Sequence, residues 1–127
     1  RHYVNQIVDM IAEPKSPSSH LIDRALAIVN RNFAKALSDE EIAAELGLST
    51  SHFRHLFKEA TGQPFHRYLM ALRLERARRL LVDFNLPVSE VASSVGFSSL
   101  AHFSRAFAQR FQSNPSAFRR MGKGSVL

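Results

Sequence analysis

His52 and His55 stand three residues apart, a spacing that puts two imidazoles on one helical face and raises the question of a shared metal ion. A metal site needs at least a third ligand, and none is evident nearby, so neither a metal nor any other cofactor is expected. Serine is abundant, yet no serine has the glycine-flanked setting of a nucleophile. No pair of carboxylates is spaced for acid–base work, and no glycine-rich loop could cradle a phosphate. The chain contains no cysteine, which excludes disulfides, thiolate zinc sites, iron–sulfur clusters and thiol catalysis. It is therefore read as a protein that is not an enzyme. What remains is hydrogen-bonding chemistry on helix surfaces. If Phe53, Leu56 and Phe57 point inward, Ser51, Arg54 and His55 are left on the outer face; Leu100, Ala101, His102, Ser104 and Arg105 occupy the corresponding places in a later helix. Arginine offers a planar fork of donors, serine and histidine can donate or accept, and Leu100 and Ala101 offer apolar contact. The alternative is an ordinary solvated surface.

The elements that must position these groups read as helices. Leu21, Ile22, Ala25, Leu26, Val29 and Phe33 make the apolar stripe of a first helix of roughly 15 residues. Ser38 with Glu41 has the spacing of a capping box and opens a two-turn second helix ending at Gly47. Ser49 is suited to cap a third helix that stops near Gly62. Pro64 suits the first position of a long fourth helix, about Phe65 to Asp83. Pro87 opens a fifth that ends at Gly96, Ser98 caps a sixth to about Phe111, and Asn114-Pro115 starts a short seventh before a frayed end at Lys123 to Leu127. No segment alternates as a strand would.

Helices two and three are repeated in helices five and six. Glu41-Ile42-Ala43 and Leu46-Gly47-Leu48-Ser49 match Glu90-Val91-Ala92 and Val95-Gly96-Phe97-Ser98, whereas His52-Phe53 and Phe57 match His102-Phe103 and Phe107 with one extra residue inserted where the sixth helix begins. Each copy has the grammar of a helix-turn-helix: a small residue where the backbones approach (Ala43, Ala92), a glycine in the turn (Gly47, Gly96), and apolar residues on both sides. Two copies are too few for a solenoid, so a paired module bridged by the fourth helix is expected.

Composition sets the class of partner. The 127 residues are 45% apolar and carry a formal charge of +6, enough apolar content for one packed domain with a strong pull on phosphate-bearing partners. Residues 37–62 hold two basic and five acidic side chains, while 63–83 hold five and two, and 84–127 five and one. Basic character thus gathers in the second half. Arg73, Arg76, Arg78 and Arg79 turn about 100° per residue around their helix, so part of that charge is expected to be solvated or paired. No run approaches the ~18 apolar residues of a membrane helix.

These residues resemble the DNA-binding domain of the AraC/XylS family of transcription regulators. The resemblance is carried by Glu41 to Ser49, by His52-Phe53-Arg54 with Leu56-Phe57-Lys58, by Thr61-Gly62, and by Arg73 to Leu81. It continues through Val91-Ala92, Val95 to Ser98, His102 to Phe107, and Asn114 to Arg119, and so covers about residues 20–120. It implies an all-α, seven-helix domain: a first helix-turn-helix subdomain (20–62), a long linker helix (63–83) and a second subdomain (84–120), followed by a tail (121–127). It also implies that helices three and six enter successive major grooves of double-stranded DNA; a helix of ~20 residues spans about 30 Å, comparable with the ~34 Å turn of B-DNA. By match to the family pattern, Ser51, Arg54 and His55, then Leu100, Ala101, Ser104 and Arg105, fall at base-reading positions, with Arg105 the strongest. Lys58, Arg110, Arg119 and Arg120 suit phosphates, which position without reading sequence. The shared His52 and His102 suggest a structural role, partly buried near the turns. Gln112 stands where the family commonly has glycine, so a differently built turn is expected there. Related repair proteins use a methyl-accepting cysteine, which this chain lacks.

In residues 1–19, an amphipathic turn at Tyr3, Val4, Ile7, Val8 and Ile11 precedes the linker-like Pro14-Lys15-Ser16-Pro17-Ser18. This is expected to end a connection to a missing N-terminal effector or dimerisation domain; the alternative is a local helix packed on the same domain. The expected whole is a bacterial cytoplasmic regulator that binds operator DNA and recruits or excludes RNA polymerase, with no membrane association. Two other classes stay open, a helical protein-interaction module and a nonspecific nucleic-acid binder.

Overall fold

A computed structural model describes residues 17–126. Among them are seven helices and no strand: α1 (Pro17–Asn32), α2 (Asp39–Leu46), α3 (Thr50–Thr61), α4 (Phe65–Asp83), α5 (Val88–Ser94), α6 (Leu100–Phe111) and α7 (Pro115–Val126). The chain divides into two compact units. The first takes α1 up to Arg31 together with Ser38–Phe65; the second takes the connection Asn32–Leu37 together with His66 onward.

In the first unit α2 packs on α3. Ile42, Ala43 and Leu46 of α2 are buried, as are Phe53 and Phe57 of α3. Phe53, Phe57 and Phe65 form a ring triad with centroids 5.5 to 5.8 Å apart, a spacing in the favourable tilted and edge-to-face range. Ser38 caps α2 by accepting from Glu41 N, and its hydroxyl donates to Glu41 Oε1. The expected cap is thus present, with the glutamate bonded to the serine side chain.

The second unit is built on α4, which is more than a connector. Its Leu74, Ala77 and Leu81 share one core with Val91, Ala92, Val95, Phe97, Phe103 and Phe107. Arg73 crosses to the connection after α1, where Nε donates to Phe33 O at 2.7 Å and Nη2 to Lys35 O at 2.9 Å. Burial pulls its guanidinium below the ordinary arginine pKa. Arg76 lies over the Phe33 ring, 4.8 Å from the centroid. Much of the α4 charge is therefore spent inside this unit.

Several boundaries differ from expectation. Residues 17–19 begin α1 and are not linker; the remainder of the 1–19 segment lies outside the described residues. The helix α4 has the expected bounds, Phe65–Asp83, but Pro64 stands just before its first residue and is not that residue. The N-cap of α6 is Ser99, which accepts from His102 N, and not Ser98. The last helix runs on to Val126, through most of the expected tail. Gly122 disfavours a helix by propensity, but a Cβ there would lie 3.0 Å from Val82 Cγ2. Any larger residue would press on Val82 of α4 at this point.

Candidate nucleic-acid interface

The two copies build the same turn from the same backbone bonds. After α2, Gly47 N donates to Ala44 O and Leu48 N to Ala43 O; after α5, Gly96 N donates to Ser93 O and Phe97 N to Ala92 O. Gly47 has φ 75° and Gly96 φ 103°, the left-handed conformation that ends a helix with this bond pair. The copies diverge by one residue before the next cap, where Ser49 and Ser99 each accept from the histidine three residues on. The extra residue therefore sits in the turn, ahead of α6. At the far ends, Gly62 N bonds Lys58 O and Gln112 N bonds Ala108 O. Gln112 is held left-handed at φ 55°. The turn at Gln112 is thus the one Gly62 makes, a correction of the expected different geometry.

These caps fix which side chains α3 and α6 present. Phe53 and Phe57, and likewise Phe103 and Phe107, are fully buried, so each helix is locked in rotation about its axis. Ser51, Arg54, His55 and Lys58 are exposed on α3 at i, i+3, i+4 and i+7, a single face. On α6 the equivalent face carries Ala101, Ser104 and Arg105, with Leu100 beside it; Ser104 is half-buried and the others are exposed. Leu100 is one of three large apolar side chains left in solvent among the described residues, with Phe84 and Met121. Both His52 and His102 are exposed, and what they share is the capped backbone N–H. His102 also sets its ring edge-on to Phe97, at 5.3 Å. Their expected partial burial is not what is found.

The charged members are unequal. Arg54 Nε donates to Asp39 Oδ2 at 2.5 Å. That bond from Arg54 holds the Asp39 carboxyl below its usual range, and Asp39 raises Arg54 in turn. His55 Nε2 lies 3.3 Å from Glu59 Oε2 one turn along α3. Arg105 makes no hydrogen bond or ion pair among the described residues. Arg110 reaches Glu75 Oε2 at 3.4 Å and lies over the Phe111 ring, while Lys58 and Arg120 are exposed. Arg119 differs from all of these. Its Nε donates to Leu81 O at 2.9 Å and its Nη2 to Leu86 O, so the guanidinium ties a carbonyl in the last turn of α4 to one in the connection that follows and has little left for a phosphate.

Three pairings escaped sequence reasoning, although Glu75 itself stood among the residues expected to pair on the fourth helix. Asp39 lies 15 residues from Arg54, and nothing in the spacing announces the pair. Glu75 collects Arg78 and Arg110, the latter 35 residues away. Glu59 was findable, since His55 and Glu59 are i, i+4 neighbours on α3. Among the described residues no group of three metal-binding side chains comes together, and no helix is long and apolar enough to cross a membrane.

Residues 42–121 match a family model described as a helix-turn-helix domain. The chain is 30% identical over 110 residues to the Msm operon regulatory protein of Streptococcus mutans, covering 87% of this chain and 40% of that protein. Among solved structures it resembles the C-terminal domain of AraT, a response regulator from Geobacillus stearothermophilus. That likeness has a TM-score of 0.79 at 30% identity and covers 84% of this chain and 88% of the other. It also resembles the DNA-binding domain of the global transcriptional factor AdpA, determined in complex with a target DNA, with a TM-score of 0.78, 25% identity, and coverage of 87% and 96%. The chain spans less than half the length of the curated relatives it matches.

Proposed function

The chain belongs to the AraC/XylS type of helix-turn-helix DNA-binding domains of transcription regulators, and on that premise we propose how its residues divide the work. Each of α3 and α6 enters a major groove of double-stranded DNA. Ser51, Arg54 and His55 read bases from the first helix. Leu100, Ala101, Ser104 and Arg105 read from the second, the arginines bonding guanine and the apolar pair meeting thymine methyls. Lys58, Arg110 and Arg120 take phosphates; Arg119, engaged with two backbone carbonyls, is left out of this set. The observation that carries the reading is the repeat: the same turn and the same cap occur twice, each followed by a helix whose outward positions are the same three places.

The larger protein is proposed to be a cytoplasmic bacterial regulator. In it an N-terminal effector or dimerisation domain governs this one, and operator binding recruits or excludes RNA polymerase. The domain itself is read as non-catalytic. Selection from a randomised duplex library by the chain at moderate salt tests the proposal. A recovered motif supports sequence-specific reading. Strong binding with no recovered motif makes it a nonspecific nucleic-acid binder, and no binding makes it a protein-interaction module.

A further inference from the structure

Arg54 is expected to read a base, yet it is the one candidate base-reading arginine already bonded within the protein. The bond uses Nε alone, so the two terminal nitrogens remain as the free edge of the guanidinium, with the pair of parallel N–H groups that guanine O6 and N7 require. The Arg54 side chain is 58% exposed and the Asp39 side chain only 21%: the anchoring partner is the more sheltered of the two, and the arginine it holds is open to solvent. Asp39 is itself fixed, being the first residue of α2 directly after the Ser38 cap. An untethered arginine loses rotamer freedom when it docks on a base, and one held in advance loses less. Arg105 on α6 has no such tether.

We propose that Asp39 is a positioning residue for sequence reading: it holds Arg54 by Nε so that the terminal nitrogens present a fixed edge to guanine at one operator position. This rests on the reading of Arg54 as a base contact. It also carries a sign of its own. Asp39 is a negative charge beside a DNA-facing helix, so its removal favours phosphate attraction in general while loosening the one arginine that discriminates. Binding to random DNA and preference for guanine should therefore move in opposite directions.

The test takes the duplex recovered from a randomised library and its single-base variants, and measures Kd for the wild-type chain, Asp39→Ala, Asp39→Asn, Arg54→Ala and the Asp39→Ala/Arg54→Ala double variant, with melting temperatures alongside. Arg54→Ala is expected to erase a guanine preference at one position. Asp39→Ala should cut that preference about tenfold with affinity for random duplex unchanged or higher. Asp39→Asn, which keeps an acceptor for Nε, should fall between, and the double variant should match Arg54→Ala alone. If Arg54→Ala erases the preference and Asp39→Ala leaves it intact or strengthens it, the positioning role is overturned and Arg54 remains a reader. If Arg54→Ala leaves every base preference intact, the reading of Arg54 falls and the role of Asp39 with it. An equal loss by Asp39→Ala on all sequences, with a lowered melting temperature, overturns it in favour of a purely structural pair.

Discussion

Gln112 holds a left-handed backbone that a side chain with a Cβ adopts at a cost of about 1–2 kcal/mol. It does so because the bond from its N–H to Ala108 O ends α6 as Gly62 ends α3, and its own Nε2 adds a bond to Gln109 O. Gln112→Gly should relieve that strain and raise stability by about 0.5–1 kcal/mol after the greater flexibility of glycine in the unfolded chain is discounted. Thermal melting checks this, and an unchanged or lower midpoint would show that the side-chain bond compensates the strain. Arg119 offers a second contrast at this scale. Arg119→Ala leaves Leu81 O and Leu86 O without their donor, for an expected loss of about 1–3 kcal/mol in stability. The slope of log affinity against log salt should stay unchanged. A phosphate contact would give the reverse, an unchanged melt and a shallower slope.

At the scale of elements, the two turns are alike in hydrogen bonding and unlike in surroundings. A Cβ on Gly47 would meet nothing within 4 Å, whereas one on Gly96 would lie 2.9 Å from Arg73 Nε and 3.2 Å from Ala34 O. Arg73 cannot swing aside freely, because Phe33 O and Lys35 O hold it. Gly47→Ala should therefore cost only the left-handed strain, about 1–2 kcal/mol, and Gly96→Ala clearly more; equal losses in denaturant melts would contradict the clamp. The glycine turns, the caps at Ser38 and Ser49 and both phenylalanine pairs were legible in the sequence because they rest on local rules, spacing and helix propensity. What was not legible is set by contacts between distant residues. Arg73, Arg119 and Arg54 look alike as letters, and only packing decides that the first two bond backbone carbonyls and the third a carboxylate. The Ser98 to Ser99 shift arose because the inserted residue sits in the turn, where either serine satisfies the capping rule. The extension of α7 escaped because two glycines, Gly122 and Gly124, lower the helix propensity of this end, which was read as frayed.

For the whole molecule, the charge of +6 is a net figure that does not say which cations can touch a phosphate directly. Arg73 and Arg119 turn their donors to backbone carbonyls and Arg78 pairs with Glu75 at 3.0 Å, whereas Lys58, Arg105 and Arg120 are exposed and Arg110 keeps only a 3.4 Å contact with Glu75. Nonspecific attraction should accordingly depend on few side chains, of which Lys58 is an exposed one. Lys58→Ala should weaken binding to all duplexes alike and reduce the salt slope by about one; a loss confined to one sequence would make Lys58 a base contact instead. The central claim is that the two copies of the repeat read separate stretches of one site. It is tested most directly by repeating the duplex selection with Arg54→Ala and with Arg105→Ala. Two blocks of preference are expected for the wild-type chain. Arg54→Ala should relax a position in one block only and Arg105→Ala a position in the other only, each at about 1–3 kcal/mol on the preferred site. A single block, or the same position relaxed by both variants, would contradict it.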